Sequence, residues 1–220
     1  PAGESLLFPG ENVSSASSDA LVFGRVGRLQ RNRTAGTGRE FFNLEVRNIS
    51  SYEAWGDDGS MNNGLNGKLG QINVAPGATT LQFSFTNSET LESVSLKKLQ
   101  FSFLDVDSGK TGQECIAASG FTEAKTGDAI STVELSGQTI FCSIEEGVGG
   151  DNPSDPLNMT DVQSNRTVAL TYEDVSSFTV ELTNAGSSGR NVQFAGESEV
   201  VPNCPKPPGA PFPPASPPAL

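Results

Sequence analysis

Residues 96–114 read LKKLQFSFLDVDSGKTGQE. Leu99, Phe101 and Phe103 alternate with Gln100, Ser102 and Leu104, the period of two expected of a strand with one face in a core. The strand runs into Asp105-Val106-Asp107, and continued alternation predicts both carboxylates on one side, one strand repeat apart. Ser108-Gly109 turns the chain, and Gly112 and Glu114 follow. Like charges held this close are unfavourable unless a cation or hydrogen-bond donors sit between them. A hard cation with oxygen ligands, calcium first, suits such a set. A second turn-rich stretch, GVGGDNPSDP at 147–156, carries Asp151, Asn152 and Asp155. The two segments are expected to meet. Calcium would then be held by Asp105, Asp107, Glu114, Asp151 and Asp155, with Asn152 or a backbone carbonyl completing the shell, as a structural ion pinning two loops. The other reading of the same residues is that they make Asx turns and cap loops, with Arg190 neutralising one of them.

The same alternation recurs along the chain. It appears at Phe42, Leu44 and Val46, at Leu81, Phe83 and Phe85, at Val168, Leu170 and Tyr172, and at Phe178, Val180 and Leu182. Further strands are predicted over 20–26, 114–118, 130–135, 139–144 and 191–195. No helical stripe interrupts them. About ten short strands joined by Gly-rich turns predict an all-β chain, a β-sandwich of jelly-roll type. Segments 79–86 and 96–107 are expected to form an antiparallel pair. Residues 48–70 are irregular, and we read Tyr52 and Trp55 there as a plug over the sheet rather than a sugar platform. The organisation predicted is an N-terminal arm over 1–19, a sandwich over 20–201 and an extended tail over 202–220. The apolar patch Leu6-Leu7-Phe8 in the arm is either a short edge strand on its own domain or a segment that docks on a neighbour.

The chain has 220 residues, 35% of them hydrophobic, with 24 Gly and 14 Pro, enough for one domain with a sizeable core. A net charge of -12 argues against a nucleic-acid partner. No apolar run is long enough to span a bilayer as a helix. Pro1 reads as the start of a processed or fragmentary chain, from which a signal peptide is missing. There is no His and no C-x-x-C spacing, which disfavours zinc. Of the three cysteines, Cys115 and Cys142 lie in strand-like settings and are expected to pair, leaving Cys204 over. Five N-x-S/T sequons, at Asn12, Asn32, Asn48, Asn158 and Asn165, are candidate N-glycosylation sites in a secreted protein.

Nine of the 14 prolines lie in 202–220, where Lys206 is the only charged side chain. This composition cannot form a sheet interior. It predicts polyproline II, roughly 60 Å long if fully extended. Its Pro-Pro and Ala-Ser-Pro-Pro runs resemble the hydroxyproline-rich stretches of algal and plant wall glycoproteins. That resemblance implies hydroxylated, O-glycosylated prolines at Pro207, Pro208, Pro213, Pro214, Pro217 and Pro218.

A set of segments resembles a family of secreted β-rich modules of algae and other protists: VRNISSYEAW, LQFSF, FSFLDVDSG with Glu114, GVGGDNPSDP and GRNVQFAGES. The resemblance covers about residues 42–198, and the GVGGDNPSDP and GRNVQFAG motifs are specific as a pair. It implies an extracellular module joined to other segments, and no catalytic residue. The function expected is therefore a structural subunit of an extracellular glycoprotein fibril or cell-surface assembly. It would carry covalent glycans and self-associate into a helical filament through its terminal segments. The alternative is a carbohydrate-binding module of the extracellular matrix, which one Trp and two Tyr support thinly. An enzyme is not expected: without His the usual Ser-His-Asp and Cys-His arrangements are excluded, and among 26 acidic residues some pair of carboxylates can always be nominated.

Overall fold

The computed structural model describes residues 5–6, 13–17, 20–29, 40–57, 59–147 and 150–198. Eight strands form its centre. They are β1 (Leu69–Val74), β2 (Gly77–Asn87), β3 (Leu96–Leu104), β4 (Gly112–Ala118), β5 (Gln138–Ser143), β6 (Val168–Val175), β7 (Ser177–Asn184) and β8 (Arg190–Ser198). One sheet orders them β1-β8-β3-β6 and the other β2-β7-β4-β5, every neighbouring pair antiparallel. The chain therefore crosses from one sheet to the other at β1–β2, β2–β3, β3–β4, β5–β6, β6–β7 and β7–β8. This double Greek-key order is the jelly roll, and the sandwich predicted from alternation is the fold. Further strands widen both sheets. Glu40–Asn48 lies beside β2, Ala20–Leu29 beside it, and Val13–Ser17 outermost. At the other end of that sheet Ile130–Leu135 lies outside β5. In the first sheet Gly64–Asn66 flanks β1 and Glu123–Thr126 flanks β6.

Alternation predicts which faces meet. Phe83 on β2 stacks on Phe178 of the neighbouring β7 at 5.0 Å between centroids. It also meets Phe101, Phe103 and Phe194 edge-on from the opposite sheet at 5.1, 6.1 and 5.5 Å. All five rings are buried. These contacts explain one correction: segments 79–86 and 96–107 do not pair. They are β2 and β3, in different sheets, and their phenylalanines face each other across the core. A hairpin between them would have turned both apolar faces the same way within one sheet and left the other sheet without a partner.

The stretch 48–70 is not a loop throughout. It contains Gly64–Asn66 and runs into β1, whose six residues LGQINV are all buried. Leu69, Ile72 and Val74 enter the core, while Gln71 and Asn73 are covered by the preceding loop and bonded to it. Gln71 donates to the Asn62 carbonyl at 2.8 Å, and the Asn73 amide donates to Asn63 Oδ1 at 2.7 Å. Tyr52 donates its hydroxyl to the Asn73 carbonyl at 2.8 Å, so this residue does plug the sheet, whereas Trp55, expected to plug it too, is left half-exposed.

Ser5–Leu6 pairs with the end of its own chain's β8, as Ser5↔Ser198 and Leu6↔Glu197. It is an edge strand on its own domain. A five-residue helix, Asp161–Asn165, was not legible from hydrophobic period because none of its residues is buried. Its signal is the capping box of Thr160 and Gln163. Asn12, Asn32, Cys204 and the tail prolines lie outside the described residues.

Cys115 and Cys142 form a disulfide across β4 and β5, where they are direct register partners. Closing that loop stabilises by about 3.5 kcal/mol in the chain-entropy model. Replacing both cysteines by serine should lower the thermal midpoint by roughly 7–14 °C. An unchanged midpoint would show that the strand pair is held without the crosslink.

Candidate functional site

The first sheet releases the chain at Leu104, and Asp105 takes a left-handed conformation with φ of 58°. Aspartate tolerates that region better than most residues. The strand therefore ends three residues earlier than predicted, at Leu104 rather than Asp107, and the two carboxylates are brought together by a kink rather than a pleat. Val106 is buried and donates its amide to the Arg166 carbonyl at 3.0 Å. Asp107 follows, only 7% exposed. Ser108 donates to the Glu145 carbonyl at 2.8 Å and accepts from the Gly147 amide at 3.0 Å, which ties the second turn-rich segment to the first. Ser108–Gly109 pairs back on Gly112–Gln113, so Glu114 enters β4 beside the two aspartates.

Arg190, the first residue of β8, reaches into this group. Its Nε lies 3.1 Å from Glu114 Oε1 and its Nη1 3.6 Å from Asp107 Oδ1. The close approach depends on two glycines. A Cβ at Gly109 would lie 1.9 Å from Arg190 Nη2, and one at Gly147 would lie 1.5 Å from Asp107 Oδ2. The result is a cleft of about 200 Å³ lined by Asp105, Asp107, Glu114, Asn152, Arg190 and Asn191 together with Gly147 and Gly189.

Asp107 and Glu114 share the Arg190 guanidinium, and Asp105 lines the same cleft without a pairing to it. Burial, with Asp107 and Asp151 nearby, raises Asp105 to about 7. Burial, with Asp107 and Asp105 nearby, raises Glu114 to about 8 against the pull of Arg190. Asp107 is also raised, by burial above all, with Arg190 and Arg166 opposing. The cleft is short of positive charge, and its donors are hard oxygens.

The six predicted calcium ligands divide. Asp105, Asp107, Glu114 and Asn152 converge on the cleft. Asp151 pairs with the buried Arg166, which also donates to the Glu146 carbonyl at 3.1 Å. Asp155 lies apart, paired with Lys68 and accepting from the Leu157 amide at 3.1 Å. Among the described residues no three acidic or cysteine side chains stand close enough to form a metal shell as they are arranged. Arg190 fills the gap, as the turn-and-cap reading of the sequence anticipated for one carboxylate. The structure adds Arg166, inside the sequon at Asn165, and Asn191. The signal for Asn191 was the GRN triplet opening the last strand; nothing in the local sequence singles out Arg166. Of the sequon asparagines described, Asn48, Asn158 and Asn165 are all exposed. No helix among the described residues is long and apolar enough to cross a membrane.

No protein-family model matches the chain, and no curated protein sequence matches it. Among solved structures it is similar to the N-terminal domain of a Streptococcus gordonii adhesin, with 10% identity and a TM-score of 0.48 over 84% of this chain and 47% of that one. It is also similar to the glucan-binding protein C of Streptococcus mutans, with 13% identity and a TM-score of 0.43 over 94% of this chain and 68% of that one. The chain thus spans less than half the length of the first of these, and the assignment of the jelly roll rests on the strand order above.

Proposed function

We propose that this chain is a structural subunit of an extracellular surface assembly, joined copy to copy by extension of its nine-stranded sheet. The observation that carries the proposal is the edge strand Ile130–Leu135. Among the described residues it is paired on one side only, and four of its six residues are exposed, Val133 at 57% and Leu135 at 58%. A solvent-facing edge with apolar side chains is a template for another strand. The opposite edge of the same sheet is Val13–Ser17, from the N-terminal segment. The two edges differ, so joining one to the other is a head-to-tail contact, whose product is a filament unless the rotation closes a ring. The disulfide supports an oxidising compartment. Such a subunit needs no catalytic group. Calcium belongs to this proposal as a structural ion at Asp105, Asp107 and Glu114, which it would hold once Arg190 moves aside.

Lysine at an edge blocks pairing while leaving the fold intact. The double variant Val133→Lys, Leu135→Lys should therefore abolish filaments in negative-stain micrographs, with a thermal midpoint within about 2 °C of wild type. Filaments of unchanged repeat from this variant would remove Ile130–Leu135 as a joint.

A further inference from the structure

We propose that Trp55 and the cleft beside it form a saccharide-binding site, for a hexose chain that is neutral or amino-bearing. This goes beyond the assembly reading and does not depend on it. Trp55 is the chain's one tryptophan, and it is 46% exposed. A side chain of this area is usually well covered. Its exposure is not that of a loose loop. The Trp55 amide donates to Asn73 Oδ1 at 2.7 Å, and Asn73 Nδ2 donates to Asn191 Oδ1 at 2.8 Å. Three residues earlier Tyr52 is fixed to the same Asn73 through its carbonyl, and accepts from Asn63 Nδ2 at 2.7 Å. The tryptophan is thus tied through one asparagine to a residue that lines the cleft.

Its side chain lies directly on the backbone of Gly189, where a Cβ would come within 2.0 Å of Trp55 Cβ and 2.2 Å of its Cγ. Gly189 belongs to the cleft wall, with Arg190 and Asn191 following it. The half-exposed tryptophan therefore packs on a wall residue of a polar hollow of about 200 Å³, which is also lined by the exposed Asn152 and Asn191 and by Asp105. That combination matches a pyranose. Its C–H face is apolar enough to lie on an indole, and its vicinal hydroxyls both donate and accept, as planar amides and carboxyls require. Few convergent polar groups beside one aromatic surface is the usual make-up of a small-ligand site. The charge balance narrows the class. Among the described residues Arg190 is the one cation lining the cleft and is already paired with Asp107 and Glu114, so no free positive charge is offered to uronates or sulfated sugars, while the carboxyls suit hydroxyl or ammonium groups.

With a single tryptophan, intrinsic emission reads this site alone. The full chain is titrated with short glucan, mannan and chitosan oligosaccharides, and with a uronate oligosaccharide. The expected result is a saturable change in emission with at least one of the first three and none with the uronate. By calorimetry the affinity for that saccharide should fall at least tenfold in Trp55→Ala. It should fall similarly in Gly189→Val, which keeps the indole but displaces it, both variants keeping the wild-type circular dichroism spectrum. Trp55→Phe, which keeps an aromatic face, should retain part of the affinity. No emission change with any of the first three saccharides, binding of the uronate alone, or wild-type affinity in Trp55→Ala would overturn the assignment.

Discussion

Arg190→Met is expected to destabilise the protein by roughly 3 kcal/mol near pH 8, and by much less at about pH 5. The guanidinium is the cation nearest both Glu114 and Asp107, whose side chains are only 12% and 10% exposed. Removing it leaves buried carboxylates without a counter-charge, and they respond by holding protons. The pH dependence has a definite sign. Glu114 titrates at about 8 in the folded chain against 4.5 for the free group, and Asp105 at about 7 against 3.8. In that window the folded protein binds protons that the unfolded chain has released. Stability is therefore full below about pH 4 and falls as pH rises through 7 and 8. Without Arg190 the carboxyls rise further and the fall becomes deeper. Calcium should act in the opposite direction, because it competes with those protons for the same oxygens. The wild-type midpoint should rise on adding calcium near pH 8 and not at about pH 5, with the larger rise in Arg190→Met, where the ion takes the place of the guanidinium. Thermal scans at the two pH values, with calcium and with chelator, check all of this. If Arg190→Met costs the same at both, its role is packing; if neither protein responds to calcium near pH 8, the ion has no place in the fold.

Phe83→Ala should cost about 4 kcal/mol, lowering the midpoint by roughly 8–16 °C. Phe83 is fully buried and touches rings from both sheets, so its removal opens a cavity where the two layers lock. Strands on either side cannot collapse into that space without losing register, which keeps the cost near the upper part of the range for a phenylalanine. A loss below about 1 kcal/mol would mean that the sheets slide to fill the gap and that the ring cluster does not fix their stacking.

The fold was largely legible because the core is written in alternation. Leu81-Phe83-Phe85 and Leu99-Phe101-Phe103 each declare a strand and its inner face. What alternation does not encode is which sheet a strand joins. Two strands adjacent in sequence with apolar faces can pair side by side or face each other, and β2 and β3 do the second. The first core strand was hidden for a different reason. Gln71 and Asn73 are polar yet buried, covered by a loop that satisfies them, so LGQINV does not look like a half-exposed strand. At the site, the meeting of the 105–114 and 147–156 segments was legible from the clustering of carboxylates. The fates of Asp151 and Asp155 were not. Each is decided by a cation distant in sequence, Arg166 for one and Lys68 for the other. Trp55 illustrates the same limit: only the structure brings it against Gly189 and so to the rim of the cleft.

The direct test of the assembly proposal is a helical reconstruction of filaments formed by the full chain. It should show continuous strand pairing from Val13–Ser17 of one subunit to Ile130–Leu135 of the next, with the nine-stranded sheet of each copy running into that of its neighbour. A map in which Ile130–Leu135 faces solvent while subunits touch elsewhere, or a preparation containing only single copies, would contradict it.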